Sequence, residues 1–193
     1  MSWFHASRLA GIALRAAGHS KSTMEFRFLT ANDAAEWSRL RLEALRQDPE
    51  AFGSSEEDHA LLTVDEIGRR LDPGTGDSFA IGGFENGRLA GMAGFMRDKG
   101  PKRRHKGMVW GVYVTQAQRG KGGGRKMLQM LLKRVMLTEG VEQVLISVAT
   151  TQTAAGALYR SLGFVPFGQE PLALKVNGRF IDEDHMILVL KKS

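Results

Sequence analysis

The sequence predicts a mixed α/β fold built on one central, mostly antiparallel sheet with helices on both faces. Three observations predict it. Two Asn-Gly pairs, Asn86-Gly87 and Asn177-Gly178, each lie between alternating apolar segments, the strongest short-range hairpin signal. Amphipathic helical stretches are interleaved with the strands. Strands and helices nevertheless lack the regular βαβ rhythm of a doubly wound sheet, which points to a mixed sheet rather than a parallel one.

Element by element, Met24 opens the first strand and Glu25 to Leu29 alternates. Thr30 and Asn32 offer caps for a helix over Ala34 to Leu45, in which Trp37, Leu40, Leu42 and Leu45 recur at helical spacing. Pro49 to Ser55 breaks it. A shorter helix over Val64 to Leu71 is entered from Thr63 and closed by Asp72-Pro73-Gly74. Ser78 to Phe84 and Arg88 to Met96 form the arms of the first hairpin, and their four glycines, at 82, 83, 91 and 94, indicate bulges or close packing. A basic loop over Asp98 to Lys106 leads into the apolar strand Met108 to Val114. The next helix is predicted from Gly122 to Glu139, with Leu128, Leu131, Leu132 and Val135 on one face and Gly140 as its stop. Val144 to Val148 is a β-branched strand, Thr153 to Leu162 a helix stopped by Gly163, and Phe164 to Phe167 the start of another strand. Leu172 to Val176 and Ile181 to Leu190 flank the second Asn-Gly turn.

A chain of 193 residues with 42% hydrophobic content and no internal repeat is expected to form one domain, over 24–193. The first 23 residues carry Arg8, Arg15 and Lys21 but no acid. They read as an extension, either flexible and dispensable or a targeting peptide. Cysteine is absent, which excludes disulfides, thiolate metal sites and a cysteine nucleophile. That is compatible with a reducing compartment, and a cytoplasmic location is expected. No apolar run approaches the roughly 18 to 20 residues of a membrane span. The net charge of +6 is concentrated in 1–23 and in Arg97 to Lys106. Such runs are most often solvated faces, so neither nucleic acid nor membrane is expected as a partner. His105 and His185 are too isolated for a metal site, so no metal is expected, and no G-x-S-x-G elbow supports a Ser-His-Asp triad.

The most informative segment is Arg119-Gly120-Lys121-Gly122-Gly123-Gly124-Arg125, between an apolar strand and a helix. A strand feeding a glycine-rich turn and a helix start aims free backbone N–H groups and the positive end of the helix dipole at one point, where an anion belongs. Lys121, Arg125 and Lys126 add charge. Counted as a P-loop from Gly120, the segment puts Arg125 at the second glycine and Met127 at the hydroxyl; counted as G-x-G-x-x-G, it ends on Arg125 or Met127. Both readings fail.

What matches is Arg119-x-x-Gly122-x-Gly124, which resembles the Q/R-x-x-G-x-G/A pyrophosphate loop of the GNAT superfamily of acetyl-CoA-dependent N-acetyltransferases. Three further pieces fall in the family's order: Val109 to Val114 before the loop, Gln143 to Ala149 as the next strand, and Ala155 to Phe164 afterwards. The resemblance runs from Met24 to the C-terminus and includes Asp182 to Leu188 as a last strand. It implies a GNAT-like fold, acetyl-CoA as co-substrate, and transfer of its acetyl group to a primary amine, expected to belong to a small molecule, without an acyl-enzyme. The backbone of Gly120, Lys121, Gly122, Gly123, Gly124 and Arg125, with Arg119, would bind the pyrophosphate. The backbone of Val112, Tyr113 and Val114 would pair with the pantetheine arm, and an amide at Val112 or Tyr113 would stabilise the oxyanion.

Tyr159 falls at the tyrosine of the family's A-x-x-x-Y segment, four residues after Ala155 and on the same helical face, where the small alanine leaves room for the cofactor. Its phenol, with a reference pKa of roughly 10, would give a proton to the departing thiolate. Gln152 stands where relatives often carry Asn, an amide one methylene further out that would contact the cofactor. The carboxylate many relatives carry as general base is replaced here by Met108 and Ser147. A water chain, or one of Glu56, Glu57, His105, Asp184 and His185, would then take the ammonium proton. A protein N-terminus or lysine as acceptor, a coenzyme-binding module without turnover, and nucleic-acid binding through Arg97 to Lys106 are the rival readings. The residues do not fix the oligomeric state; the resemblance allows a homodimer, since related folds often dimerise.

Overall fold

A computed structural model describes residues 24–71 and 76–190. The 1–23 extension and the helix-closing turn expected at 72–74 lie outside the described residues. In chain order the elements are β1 (Glu25–Phe28), α1 (Ala34–Gln47), α2 (Glu56–Ala60), α3 (Val64–Leu71), β2 (Ser78–Glu85), β3 (Arg88–Arg97), β4 (Lys106–Val114), α4 (Gly123–Met136), β5 (Gln143–Ala149), α5 (Thr153–Ser161), β6 (Val165–Val176) and β7 (Arg179–Val189). The strands form one seven-stranded sheet in the order β1-β2-β3-β4-β5-β7-β6. Every neighbouring pair is antiparallel except β4 and β5.

Both Asn-Gly turns close hairpins as expected, and Asn86 and Asn177 both take the positive φ that such turns require. Three features depart from the sequence reading. Helix α4 stops at Met136, three residues early, and Gly140 with its positive φ belongs to the turn that follows. Helix α2 was not expected. It is nucleated by a capping box in which Ser55 Oγ accepts from the Asp58 N–H (3.1 Å) and the Asp58 carboxylate accepts from the Ser55 N–H (3.0 Å). The two apolar pieces at Phe164 to Phe167 and Leu172 to Val176 are one strand, β6, bent by register shifts at Pro166/Gly168 and Glu170/Leu174. Leu172 sits at φ 57° in the second bend, where its N–H donates to Asp182 Oδ1 (2.8 Å).

The sheet separates two apolar layers. On one face Met127, Leu128, Leu131 and Val135 of α4 pack on Phe79, Ile81, Phe95, Val144, Ile146 and Tyr159. On the other, Trp37, Leu40 and Leu45 of α1 and Ile67 and Leu71 of α3 cover Ala80, Leu89, Met92 and Tyr113. The link from β1 to α1 is held by Asp33, which accepts twice from the Arg27 guanidinium (2.6 and 2.8 Å) and once from the Thr30 N–H (2.8 Å). These bonds outweigh desolvation and lower the Asp33 carboxyl to about 2. A depressed carboxyl stabilises the fold above its unfolded pKa and loses that contribution as pH falls through its folded one. The stability gap between wild type and Asp33→Asn should therefore hold steady from neutral pH to about 5 and shrink between about 4 and 2, as read by urea unfolding. A gap independent of pH would contradict the assignment.

Candidate active site

The site begins with a defect in β4. Met92 pairs with Tyr113 and Gly94 with Trp110, so Gly111 and Val112 together oppose Ala93 alone. This β-bulge needs Gly111 at φ +64°, where a side chain is strained. The extra residue also inverts the alternation. Trp110 and Tyr113, three positions apart, both face α1, while Val112 and Val114 turn toward the α4 layer that Val109 already occupies. The Thr115 N–H donates to the Ala90 carbonyl on β3 (2.9 Å). Ladder alternation then turns the N–H groups of Val114 and Val112 away from β3.

They face a gap. Strands β4 and β5 pair only from Lys106/Gln143 to Met108/Leu145 and then diverge. Between the separated edges lies a cleft of about 420 Å³, lined by Val112, Tyr113 and Val114 on one side and by Ile146 to Ala149 on the other. Its end is closed by the loop before α4 and the first turn of that helix, where Arg119, Gly120, Gly122, Gly123, Gly124 and Arg125 all line the wall. The first intrahelical bond of α4 runs from the Lys126 N–H to the Gly122 carbonyl (3.1 Å), which leaves the N–H groups of Gly123, Gly124 and Arg125 ahead of the ladder. Gly122 caps the helix at φ +81°, and a Cβ there would project into open space. An anion held by backbone N–H groups and the helix dipole fits this cradle.

The arginines of the loop have separate duties. The Arg119 guanidinium pairs with Asp48 at the end of α1 and donates to the Val114 carbonyl (3.0 Å), which ties the loop to α1 and β4. Arg125 donates to Ser161 Oγ (2.8 Å) at the end of α5. Lys121 is exposed and does not line the cleft, unlike the other residues expected to contact the cofactor. Gln152 and Ala155 line it at the start of α5. Tyr159 closes its inner wall, 5% exposed, with its ring edge-on to Phe164 (centroids 6.2 Å apart). Burial pushes its phenol well above the ordinary tyrosine value, so the proton is retained throughout the neutral range. The other tyrosine on the cleft, Tyr113, turns its hydroxyl away to donate to Glu43 on α1 (3.2 Å), and its pKa is pushed up to about 12 by burial and by Glu43.

A bulged strand splayed from its parallel neighbour, a glycine-rich helix start and a buried tyrosine therefore surround one cleft. The family model for the acetyltransferase (GNAT) family matches residues 37–164, which contain nearly all of it. The chain belongs to the GNAT family.

GNAT structures superpose over nearly the whole fold. A GNAT acetyltransferase from Streptococcus pneumoniae gives a TM-score of 0.79 at 22% identity, covering 87% of this chain and 100% of that one. The yncA structure from Salmonella typhimurium, solved with acetyl-CoA, gives 0.76 at 25% identity over 89% of this chain and 96% of that one. In sequence, an L-methionine sulfoximine/L-methionine sulfone acetyltransferase of Pseudomonas aeruginosa is 37% identical over 79 residues. That match spans 41% of this chain and 45% of the relative, so the chain is aligned with less than half of the curated protein.

The residues considered as the GNAT base are scattered. Glu56 is bound by Arg46 (2.5 and 2.8 Å) in the first turn of α2, beside exposed Glu57. His105 precedes β4 at the closed end of the β4–β5 pair, where its carbonyl accepts from the Glu142 and Gln143 N–H groups. Asp184 pairs with Gln169 and Arg160, on the face of β7 opposite to His185. His185 is connected to the cleft. Its Nδ1 lies 2.8 Å from Oγ of Ser147, a cleft residue, and its Nε2 lies 3.1 Å from Glu170 Oε2. In the tautomer that donates from Nε2 to Glu170, Nδ1 accepts from Ser147. Glu183, two residues before His185 on the same face, has its carboxyl pushed up by burial. The sequence places Glu183 only in the acidic run of the last strand, not among the candidate bases, and it gives no signal for Gln118, which lines the cleft at 3% exposure but occupies no motif position.

The basic loop is partly paired. Arg97 and Arg104 both pair with Asp77, and Arg103 pairs with Asp98. Among the described residues no helix is long and apolar enough to cross a membrane, and no group of three or more His, Asp or Glu residues is placed to hold a metal ion.

Proposed function

We propose that this chain transfers an acetyl group from acetyl-CoA to the primary amine of a small molecule. The observation that carries this reading is the continuity of one cleft from the amide-rich start of α4, past the outward-turned N–H groups of β4, to Tyr159. The Pseudomonas relatives, which act on small amino-acid analogues, support a small-molecule acceptor. Acetyl-CoA supplies the acetyl group as a thioester and leaves as a thiol.

The start of α4 binds the pyrophosphate, and the edge of β4 takes the pantetheine arm as an added strand. A β4 amide at Val112 donates to the thioester oxygen as negative charge gathers there. The neutral amine nitrogen forms the new C–N bond as the C–S bond breaks, Tyr159 gives its proton to the sulfur, and the proton the nitrogen sheds as the amide forms restores the phenol. The ammonium proton leaves through Ser147 to His185, with Glu170 balancing the charge.

Calorimetric titration of the purified chain with coenzyme A tests the reading, followed by thiol release over a panel of amines. Binding is expected, with loss in Gly122→Val, whose β-branched side chain is strained at positive φ and stands in the cradle. No heat and no thermal stabilisation at millimolar coenzyme A would refute it. Binding without turnover on any amine, peptides included, would favour a non-catalytic module.

A further inference from the structure

Arg41, in the middle of α1, is left with an uncompensated charge beside the cleft. Its Nη1 is buried and has no hydrogen-bond partner. Its Nη2 donates to Ser54 Oγ (2.7 Å), a neutral acceptor, and its guanidinium stacks 4.2 Å over the Phe52 ring. Among the described residues no carboxylate lies within ion-pair distance of it, although the Arg27, Arg39, Arg46, Arg97, Arg103, Arg104 and Arg119 guanidiniums are all paired. His59, the other titratable group close to it, is held below its ordinary value by burial and by Arg41 itself.

The position of this guanidinium gives the unpaired charge a purpose. Nη1 lies 3.9 Å from where a Cβ on Gly111 would stand, and Gly111 and Phe52 both line the cleft. The free donor is thus next to the bulge, one residue from Val112, whose N–H turns toward the gap. An acceptor amine attacking a carbonyl held at Val112 would bring its neighbouring substituents to the Arg41 side of β4.

We infer that Arg41 binds a carboxylate carried by the acceptor, so that the substrate class is amino acids rather than simple amines; this rests on the acetyl-transfer reading above. A guanidinium with one unpaired N–H group can donate to a carboxylate, and a nitrogen already shielded from water gives up little hydration when the anion arrives. Consistent with that desolvation, burial lowers Arg41 to about 10. Gly111 is the cleft residue that separates Nη1 from the gap, and a Cβ there would stand 3.9 Å from that nitrogen.

The test compares L-amino acids with their amides and with the matching decarboxylated amines, in wild type and in Arg41→Met, which keeps an apolar stem on Phe52. Wild type is expected to prefer the acids by about 10- to 100-fold in kcat/KM, the range expected for a charged hydrogen bond. Arg41→Met should lose that preference while leaving turnover of the amides unchanged. Its thermal midpoint should stay equal or rise, because a buried unpaired charge has been removed; a purely structural arginine would lower it. Binding of the acids, measured by calorimetry on the coenzyme-loaded protein, gives a readout that needs no turnover. Equal handling of acids and amides by wild type, or an acid preference that survives in Arg41→Met, would overturn the inference and leave acetyl transfer standing. Failure to bind coenzyme A would instead remove the acetyl-transfer reading.

Discussion

Tyr159→Phe should lower kcat by about 10²- to 10⁴-fold, the range typical for loss of a positioned general acid, while coenzyme A affinity and the thermal midpoint stay near wild type. The separation of these readouts follows from where the ring sits. Tyr159 contributes its aromatic body to the layer under α4 and packs edge-on to Phe164, contacts that phenylalanine preserves. Its hydroxyl bonds no described residue, so removing it leaves no buried partner unsatisfied. What is lost is a donor in the wall of the cleft. Because burial raises the phenol above its ordinary value, Tyr159 remains protonated to alkaline pH, and in the proposed reaction it donates to the sulfur as charge develops there. The variant should fall in kcat at every pH from 6 to 9, with no change in the shape of the profile. Steady-state kinetics with a thiol-release assay decide it. A drop confined to KM, or a variant that fails to bind coenzyme A, would assign Tyr159 to the binding wall instead.

How much of this was legible in the chain depends on whether a feature is local. The hairpin turns, the glycine-rich loop and the helical position of Tyr159 are read from spacing within a few residues, and each lies where spacing places it. Gly111 could be suspected as a bulge, yet the inversion that sends Trp110 and Tyr113 to the same face depends on the register with Met92 and Gly94. Helix α2 had a readable signal in Ser55-x-x-Asp58, overlooked because five residues carry no apolar period. Arg119, read as a phosphate ligand, has its guanidinium engaged by Asp48, 71 residues upstream. Arg41 and Glu183 are distinguished only by burial, and burial is a property of the assembled sheet. The proton route was illegible for the same reason. Ser147 and His185 meet through antiparallel pairing of β5 with β7, and Glu170 joins them from β6 across a bend that no local pattern announces.

That route carries the second large effect. A primary ammonium, with reference pKa from about 8 for an α-amine to about 10 for a lysine-like amine, is mostly protonated at pH 7 and cannot attack until the proton leaves. If Ser147 passes it to His185 Nδ1, Ser147→Ala and His185→Gln should each lower kcat/KM at pH 7 by about 10²-fold or more. The double variant should be no worse than either alone, since both remove the same path. The defect should also shrink as pH rises toward the acceptor's own pKa, because solvent then supplies the neutral amine and the relay has nothing left to do. A structural role makes the opposite forecast. Glutamine can keep a hydrogen bond to Ser147 Oγ, so a histidine needed only to hold the β5–β7 edge would be rescued by His185→Gln, and any residual defect would not depend on pH. Losses that multiply in the double variant, or a defect constant from pH 7 to 10, would remove His185 from the proton's path and return the task to Glu183 or to water.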